Sequence, residues 1–173
     1  MTFLTVPLSG THKKESFSCG KPLLDDYLHR QAKQDIKRRL SACFVLAENE
    51  EIIRGYYTLS AASIERRLLP ENVIRKLPPS YSDLPVILLG RLAISSAHQG
   101  AGLGELLLLD ALKRSCHTSK EVGSMAVIVD PMDATAQSFY ERYGFVLLPD
   151  SGKMFLPMAT IAQLFPDAHR QGG

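Results

Sequence analysis

The segment that most restricts what this chain can become is Gln99 to Gly104, Gln-Gly-Ala-Gly-Leu-Gly. An apolar stretch from Val86 to Ile94 precedes it, and a long apolar run from Leu103 to Ser115 with helical spacing follows. Gly100, Gly102 and Gly104 keep side chains away from a backbone that must approach a ligand closely. Unpaired N–H groups at the start of the next helix then point into that space, and the helix dipole favours an anion there. The order strand, glycine turn, helix therefore describes a pocket for phosphate or pyrophosphate. The plainer reading is a tight strand-to-helix connection with no ligand. Two nucleotide motifs do not fit. A Walker loop ends in Gly-Lys-Ser/Thr, whereas Glu105 follows Gly104. A Rossmann turn is accompanied by an acidic residue about 20 positions on that closes a strand, but Glu121 precedes the strand at Met125.

Around this turn the pattern is that of an α/β layered domain with a mixed sheet. Leu24, Leu28, Ala32 and Ile36 recur at i+4 after Cys19-Gly-Lys-Pro22, and predict a helix. Asp25 and Asp26 near its start and Lys37, Arg38 and Arg39 near its end suit the helix macrodipole. Cys43 to Ala47 and Ile52 to Ser63 predict an antiparallel hairpin turning at Asn49–Glu51. Leu68 to Asp83, rich in proline, predicts a loop holding one short helix from Glu71 to Lys76. Val86 to Ile94 predicts a central strand, and Met125 to Val129, continuously apolar, a buried one. Asp133 to Tyr143 predicts an amphipathic helix stopped by Gly144, with final strands at Val146–Leu148 and Met154–Leu156. One domain over 1–166 and a polar tail at 167–173 are expected.

Composition excludes more than it specifies. With 173 residues, 45% hydrophobic and 22% charged, the chain has the make-up of an ordinary globular protein. No window approaches the roughly 20 apolar residues of a membrane span, and the first residues lack the marks of a signal peptide. Cys19, Cys43 and Cys116 are odd in number and not at metal spacing, so they read as reduced thiols in the cytoplasm and no metal is expected. A net charge of +2 does not by itself imply a nucleic-acid partner.

The glycine turn resembles the acetyl-CoA motif of the Gcn5-related N-acetyltransferases (GNAT), Gln/Arg-x-x-Gly-x-Gly/Ala after a central strand, matched by Gln99, Gly102 and Gly104. The family's late signature, an aromatic pair before a glycine turn, is matched by Ser138-Phe-Tyr-Glu-Arg-Tyr-Gly-Phe145. The resemblance implies the GNAT fold, a largely antiparallel twisted sheet flanked by helices, and acetyl-CoA as co-substrate. It implies that the cofactor is held by Leu92, Ala93 and Ile94 at the strand end, by Gln99, Gly100, Ala101, Gly102, Leu103 and Gly104, and by Ser138 and Tyr140. Three segments are similar to one branch, the acetyltransferase toxins of bacterial type II toxin–antitoxin systems: Ser16 to Leu28, Leu89-Gly-Arg-Leu-Ala93 and Phe139 to Phe145. That likeness implies acetylation of the α-amine on aminoacyl-tRNA and a block of translation. It also implies control by a ribbon-helix-helix antitoxin encoded nearby, and a homodimer.

In that reading Tyr140 is the acid that protonates the departing CoA sulfur; a phenol of pKa about 10 is loaded to donate at pH 7. The plainer reading makes Phe139, Tyr140 and Tyr143 the apolar face of a helix; it is preferred for Phe139, evenly matched for Tyr143, and set aside for Tyr140 because the glycine motif lies upstream. For a general base Glu105, Asp110, Asp130 and Asp133 are near the motifs, but none stands out by spacing and a helix-surface or cap role suits each better, while His98 reads as a solvated loop residue. An α-amine, with a pKa near 8, needs little help from a base. For tRNA the candidates are Arg91 first, then Lys33, Lys37, Arg38, Arg39, Arg66 and Arg67, with Arg75 and Lys76 nearby. The alternative for these is a solvated face with acidic neighbours such as Asp35 and Glu65. Two rival functions stay open: acetylation of a protein N-terminus or small amine, and a non-catalytic acetyl-CoA-binding module.

Overall fold

The computed structural model describes residues 2–166, so the tail expected at 167–173 lies outside the described residues. Its strands are β1 (Val6–Pro7), β2 (Ala42–Glu48), β3 (Ile52–Glu65), β4 (Asp83–Ile94), β5 (Ala126–Val129), β6 (Val146–Leu148) and β7 (Lys153–Pro157). They form one sheet in the order β1-β2-β3-β4-β5-β7-β6, with β4 at its centre as expected. The helices are α1 (Pro22–Asp26), α2 (Ala32–Lys37), α3 (Glu71–Ile74), α4 (Leu103–Ser119), α5 (Ala134–Arg142) and α6 (Met158–Gln163). Neither β1 nor α6 was expected, because two strand residues and six helical ones carry too little periodicity to read.

The chain divides into two compact units, Met1–Ser60 with Leu89–Arg114, and Ala61–Leu88 with Ser115–Gly173. In the first, β2 and β3 form the expected antiparallel hairpin, Ala42 opposite Leu59 and Glu48 opposite Ile52. Asn49 and Glu50 make the turn at φ 51° and 64°. The expected single helix after Pro22 is interrupted: a π-helical turn, Tyr27–Gln31, joins α1 to α2. The spacing explains it. Leu24, Leu28, Ala32 and Ile36 are each four apart, and in a helix of 3.6 residues per turn such a row drifts about 40° per step. One wider turn takes up the drift. Leu24, Leu28 and Ala32 all reach one core with Phe17, Val45, Tyr56 and Ala93.

This unit also buries polar groups. Asp110 of α4, only 4% exposed, accepts hydrogen bonds from the Leu4 N–H at 2.7 Å, the Thr5 hydroxyl at 2.5 Å and the Tyr57 hydroxyl at 2.8 Å. Arg114 completes the group, donating to the Tyr57 hydroxyl at 2.9 Å and the Thr5 carbonyl at 2.8 Å while its guanidinium lies 3.9 Å over the Phe44 ring. Every carboxylate oxygen is satisfied, which is the condition for burying it at all.

In the second unit β5 pairs parallel to β4, Ile87 opposite Val127, and antiparallel to β7, Val127 opposite Leu156. All four β5 residues are buried, as their unbroken apolar run requires. Asp133 caps α5, its carboxylate accepting the Ala136 N–H at 2.8 Å, a bond of the kind that contributes about 1 kcal/mol. Gly144, at φ 95°, follows the end of α5 where a side chain would be strained. The core here is apolar: Ile64, Leu69, Leu84, Val86, Ala126, Ile128, Leu148 and Phe155.

Candidate active site

In the first unit the end of β4 passes through a single 3-10 turn, Ser96–His98, into the glycine loop and then α4. Gly100 and Gly102 have φ of 82° and 79°, a left-handed backbone that suits glycine. A methyl group added at either would meet nothing within 4 Å, so the loop is an open cradle and not a packed connection. Gln99 does not face that cradle with free donors. Its side-chain amide donates to the Cys19 carbonyl at 2.9 Å and the Ile94 carbonyl at 3.0 Å, bracing the loop against the strand end. Ser96 N–H to Ser18 carbonyl (2.8 Å) and Ser95 N–H to Arg54 carbonyl (2.7 Å) hold the same corner. The residues thus fit a phosphate-bearing co-substrate: exposed Gly100, Ala101 and Gly102, then the first turn of a 17-residue helix.

Gly55 was not singled out in the sequence, yet it shapes this corner. A Cβ there would come within 2.5 Å of Leu107 Cδ1, 2.8 Å of Ile94 Cδ1 and 3.0 Å of the Ala93 carbonyl. Only a residue without a side chain lets β3 pass so close to the strand end and α4. Of the strand-end trio, Ala93 is buried, while Leu92 and Ile94 are half-buried.

In the second unit Tyr140 is buried on α5, 8% exposed. Phe139 meets it edge-on at 5.2 Å and Phe145 at 5.3 Å. Burial pushes the phenol up to about 12, so it keeps its proton at any physiological pH. The hydroxyl has no hydrogen-bond partner among the described residues, which leaves it able to donate. Phe139 packs against both Tyr140 and Tyr143, the apolar-face reading for those rings. Ser138 is exposed.

None of the carboxylates considered as a base is free for that work except exposed Glu105. Asp110 is not on the helix surface, as its network shows. Lys153 binds Asp130 at 2.9 Å, and Asp133 is a cap. His98 is only partly solvated: its Nδ1 is buried with no partner among the described residues, and its Nε2 lies 3.9 Å from Glu48. Arg54 grips that same carboxylate, holding Glu48 below the usual carboxylate range.

The basic residues separate into distinct kinds. Lys33, Lys37, Arg38 and Arg39 are exposed and make no ion pair among the described residues. Arg66 does something else. Its guanidinium donates to the carbonyls of Pro78, Tyr81, Ile74 and Leu77 at 2.6 to 3.3 Å, closing the Leu68–Asp83 loop. Arg67 pairs with Glu65 at 2.5 Å and Arg75 with Glu71 at 3.6 Å, both in solvent. Asp35, expected as a solvated neighbour of the basic helix end, is buried and accepts the Tyr27 hydroxyl at 2.9 Å. Arg91 lies over Tyr27, its guanidinium carbon 3.4 Å from the ring centre.

The first unit offers a glycine cradle at a helix start after the central strand, and the second a buried protonated phenol; each is a feature that an acyl-CoA-dependent transferase can use. Residues 39–147 match the family described as acetyltransferase (GNAT) domain. The chain is 37% identical over 134 residues, 78% of each chain, to a tRNA-acetylating toxin of Mycobacterium tuberculosis. A tyrosine-to-phenylalanine mutant of KacT superposes with TM-score 0.87 at 30% identity, covering 95% of this chain and 100% of that one. AtaT complexed with acetyl-methionyl-tRNAfMet gives TM-score 0.86 at 28% identity, covering 95% and 99%. AtaTR bound with AcCoA (TM-score 0.82, 29% identity, 93% and 96% covered) is also similar, as is mutant AtaT bound to the C-terminus of the antitoxin AtaR (0.79, 26%, 93% and 96%). This chain belongs to the GNAT acetyltransferase family, and is an N-acetyltransferase.

Proposed function

We propose that this protein is a toxin that acetylates the α-amine of the amino acid carried by a charged tRNA, with acetyl-CoA as donor, and so blocks translation. The observation that carries the reading is the 37% identity, spread over 78% of both chains, to a tRNA-acetylating toxin. The backbone of Leu92, Ala93 and Ile94, the loop Gln99–Gly104, and Ser138 with Tyr140 hold acetyl-CoA. When bound it supplies the acetyl group as an activated thioester. Tyr140 holds a proton through the pH range of the cell and would give it to the CoA sulfur as the carbon–sulfur bond breaks; the proton that the acceptor nitrogen sheds as the carbon–nitrogen bond forms goes to solvent, from which the phenol is reloaded. No side-chain base is assigned to the acceptor, because an α-amine with a pKa near 8 is already neutral in useful fraction at pH 7. The exposed cations Lys33, Lys37, Arg38 and Arg39 contact phosphates, with Arg91 and Arg67 beside them in role; Arg66 is withdrawn from that set by its four carbonyls.

The same reading includes a homodimer, a ribbon-helix-helix antitoxin and action in the cytoplasm. Among the described residues no helix is long and apolar enough to cross a membrane. Incubation with labelled acetyl-CoA and total charged tRNA tests it. N-acetylated aminoacyl-tRNA is the expected product; none across all amino acids would overturn the toxin reading in favour of a small amine or a protein N-terminus.

A further inference from the structure

Three observations meet at Arg91. Its guanidinium carbon lies 3.4 Å over the centre of the Tyr27 ring, and one corner, Nη1, reaches the Thr58 hydroxyl at 3.5 Å. At the ring's edge, the Tyr27 hydroxyl donates to Asp35 at 2.9 Å. Tyr27 and Asp35 are both buried, and Asp35 has no cation of its own among the described residues. The ring thus carries a guanidinium over its face and a buried carboxylate at its edge. An anion bonded to the phenol makes the ring face more negative, which strengthens its hold on a cation.

The π-helical turn makes this stack possible. In a regular helix residues eight apart point about 80° away from each other at 100° per residue. One extra residue in the turn Tyr27–Gln31 makes Asp35 behave as a position seven along, so both side chains face the same way. π turns of this kind are concentrated at functional places. The guanidinium is held over the ring and by one corner, with Nε and Nη2 unbonded among the described residues. A fixed planar fork of donors suits a phosphate or carbonyl oxygen.

We infer that Tyr27 and Asp35 are positioning residues that hold the Arg91 guanidinium in place for its contact with the charged-tRNA acceptor. The inference rests on the proposed aminoacyl-tRNA activity. Tyr27→Phe keeps the ring and removes the bond to Asp35. It should raise KM for charged tRNA by about threefold to tenfold, the worth of a weakened cation–π contact. At saturating charged tRNA, kcat should hold, and so should KM for acetyl-CoA. Asp35→Asn, which keeps an acceptor but loses the charge, should give a smaller rise and provides the reading if Tyr27→Phe folds poorly. The deciding measurement is the double-mutant cycle. In an Arg91→Ala background Tyr27→Phe should add nothing to KM. Equal rises in both backgrounds, or no rise in either single variant, overturn the inference while the activity stands. A native protein that acetylates no charged tRNA overturns the underlying reading instead, and takes this inference with it.

Discussion

The glycine loop and the helix that carries Tyr140 are built on opposite plans. Along Gln99–Gly104 the side chains are few, Gln99 and Ala101 being exposed and Leu103 half-buried, and what the loop offers is main chain: two left-handed glycines and the start of α4. Along α5 the main chain is consumed by the helix, and what it offers is one buried side chain walled by Phe139 and Phe145. The difference separates two jobs. A main-chain site depends on conformation and tolerates changes of side chain that keep it. A side-chain site depends on a single functional group and tolerates none. Substitutions in the two regions should therefore split cleanly between binding and turnover.

The widest split is expected at Tyr140. Tyr140→Phe removes one hydroxyl and keeps the packed ring, so kcat should fall by about 10²–10⁴, the usual worth of a general acid. Affinity for acetyl-CoA, measured by calorimetry, should stay within about twofold. A fall in affinity that matched the fall in kcat would mean the phenol is a binding group and would dissolve the contrast. The pH profile sharpens it. Burial raises the phenol to about 12, and an acid works while it holds its proton, so loss of activity through Tyr140 begins only as pH climbs toward that value. At pH 9 roughly one phenol in a thousand is ionised. An alkaline limb centred near pH 10 that vanishes in Tyr140→Phe would show the phenol is not buried in solution.

Next in size is Asp110, on the helix that the loop begins. Asp110→Ala takes the acceptor from three donors, the Leu4 N–H and the Thr5 and Tyr57 hydroxyls, and leaving them unsatisfied at about 1–3 kcal/mol each should cost about 3–5 kcal/mol in urea unfolding. The acetyl-CoA affinity of the fraction that remains folded should be close to native, since the loop's own backbone is untouched. Gly102→Ala should do the reverse. A side chain at φ 79° costs about 1–2 kcal/mol wherever the backbone is held there. The added methyl meets nothing, so the strain alone decides. Affinity for acetyl-CoA should weaken about 5- to 30-fold, the same energy written as a binding ratio, with little change in kcat. A Gly102→Ala protein that binds normally but turns over slowly would place chemistry in the loop.

What could be read from the sequence follows the same division. The loop, the central strand and α5 carry strong local patterns, and both motifs are contiguous, so their residues were legible. The groups that lie far apart in sequence were not. Asp110 meets Leu4 and Thr5 more than 100 residues away, and a single Asp in a Leu-rich helix gives no sign of the partner. Asp35 looked like one charge among many at a basic helix end, whereas burial and the Tyr27 hydroxyl make it part of the core. Gly55 is one glycine inside a strand, a position that marks close backbone approach, though only the fold says to what. The π turn did have a signal, the strict four-residue spacing from Leu24 to Ile36. A row of that length cannot stay on one face of a regular helix.

The smallest effect is expected at Ser138, and it tests the carry-over from the family most directly. The side chain is exposed on α5 and short, so Ser138→Ala removes at most one hydroxyl contact to a solvated part of acetyl-CoA. A hydrogen bond of that kind is worth about 0.5–1.5 kcal/mol net, and exposure places it at the low end. KM for acetyl-CoA should rise about twofold with kcat unchanged, in steady-state assays with charged tRNA held saturating. Because Ser138 and Tyr140 share one helix, the pair also calibrates the main contrast. If both variants lowered kcat alike, the cause would be a shift of α5 and not the loss of a proton donor. If Ser138→Ala changes only binding while Tyr140→Phe changes only turnover, the helix is rigid and the catalytic function rests on the phenol itself.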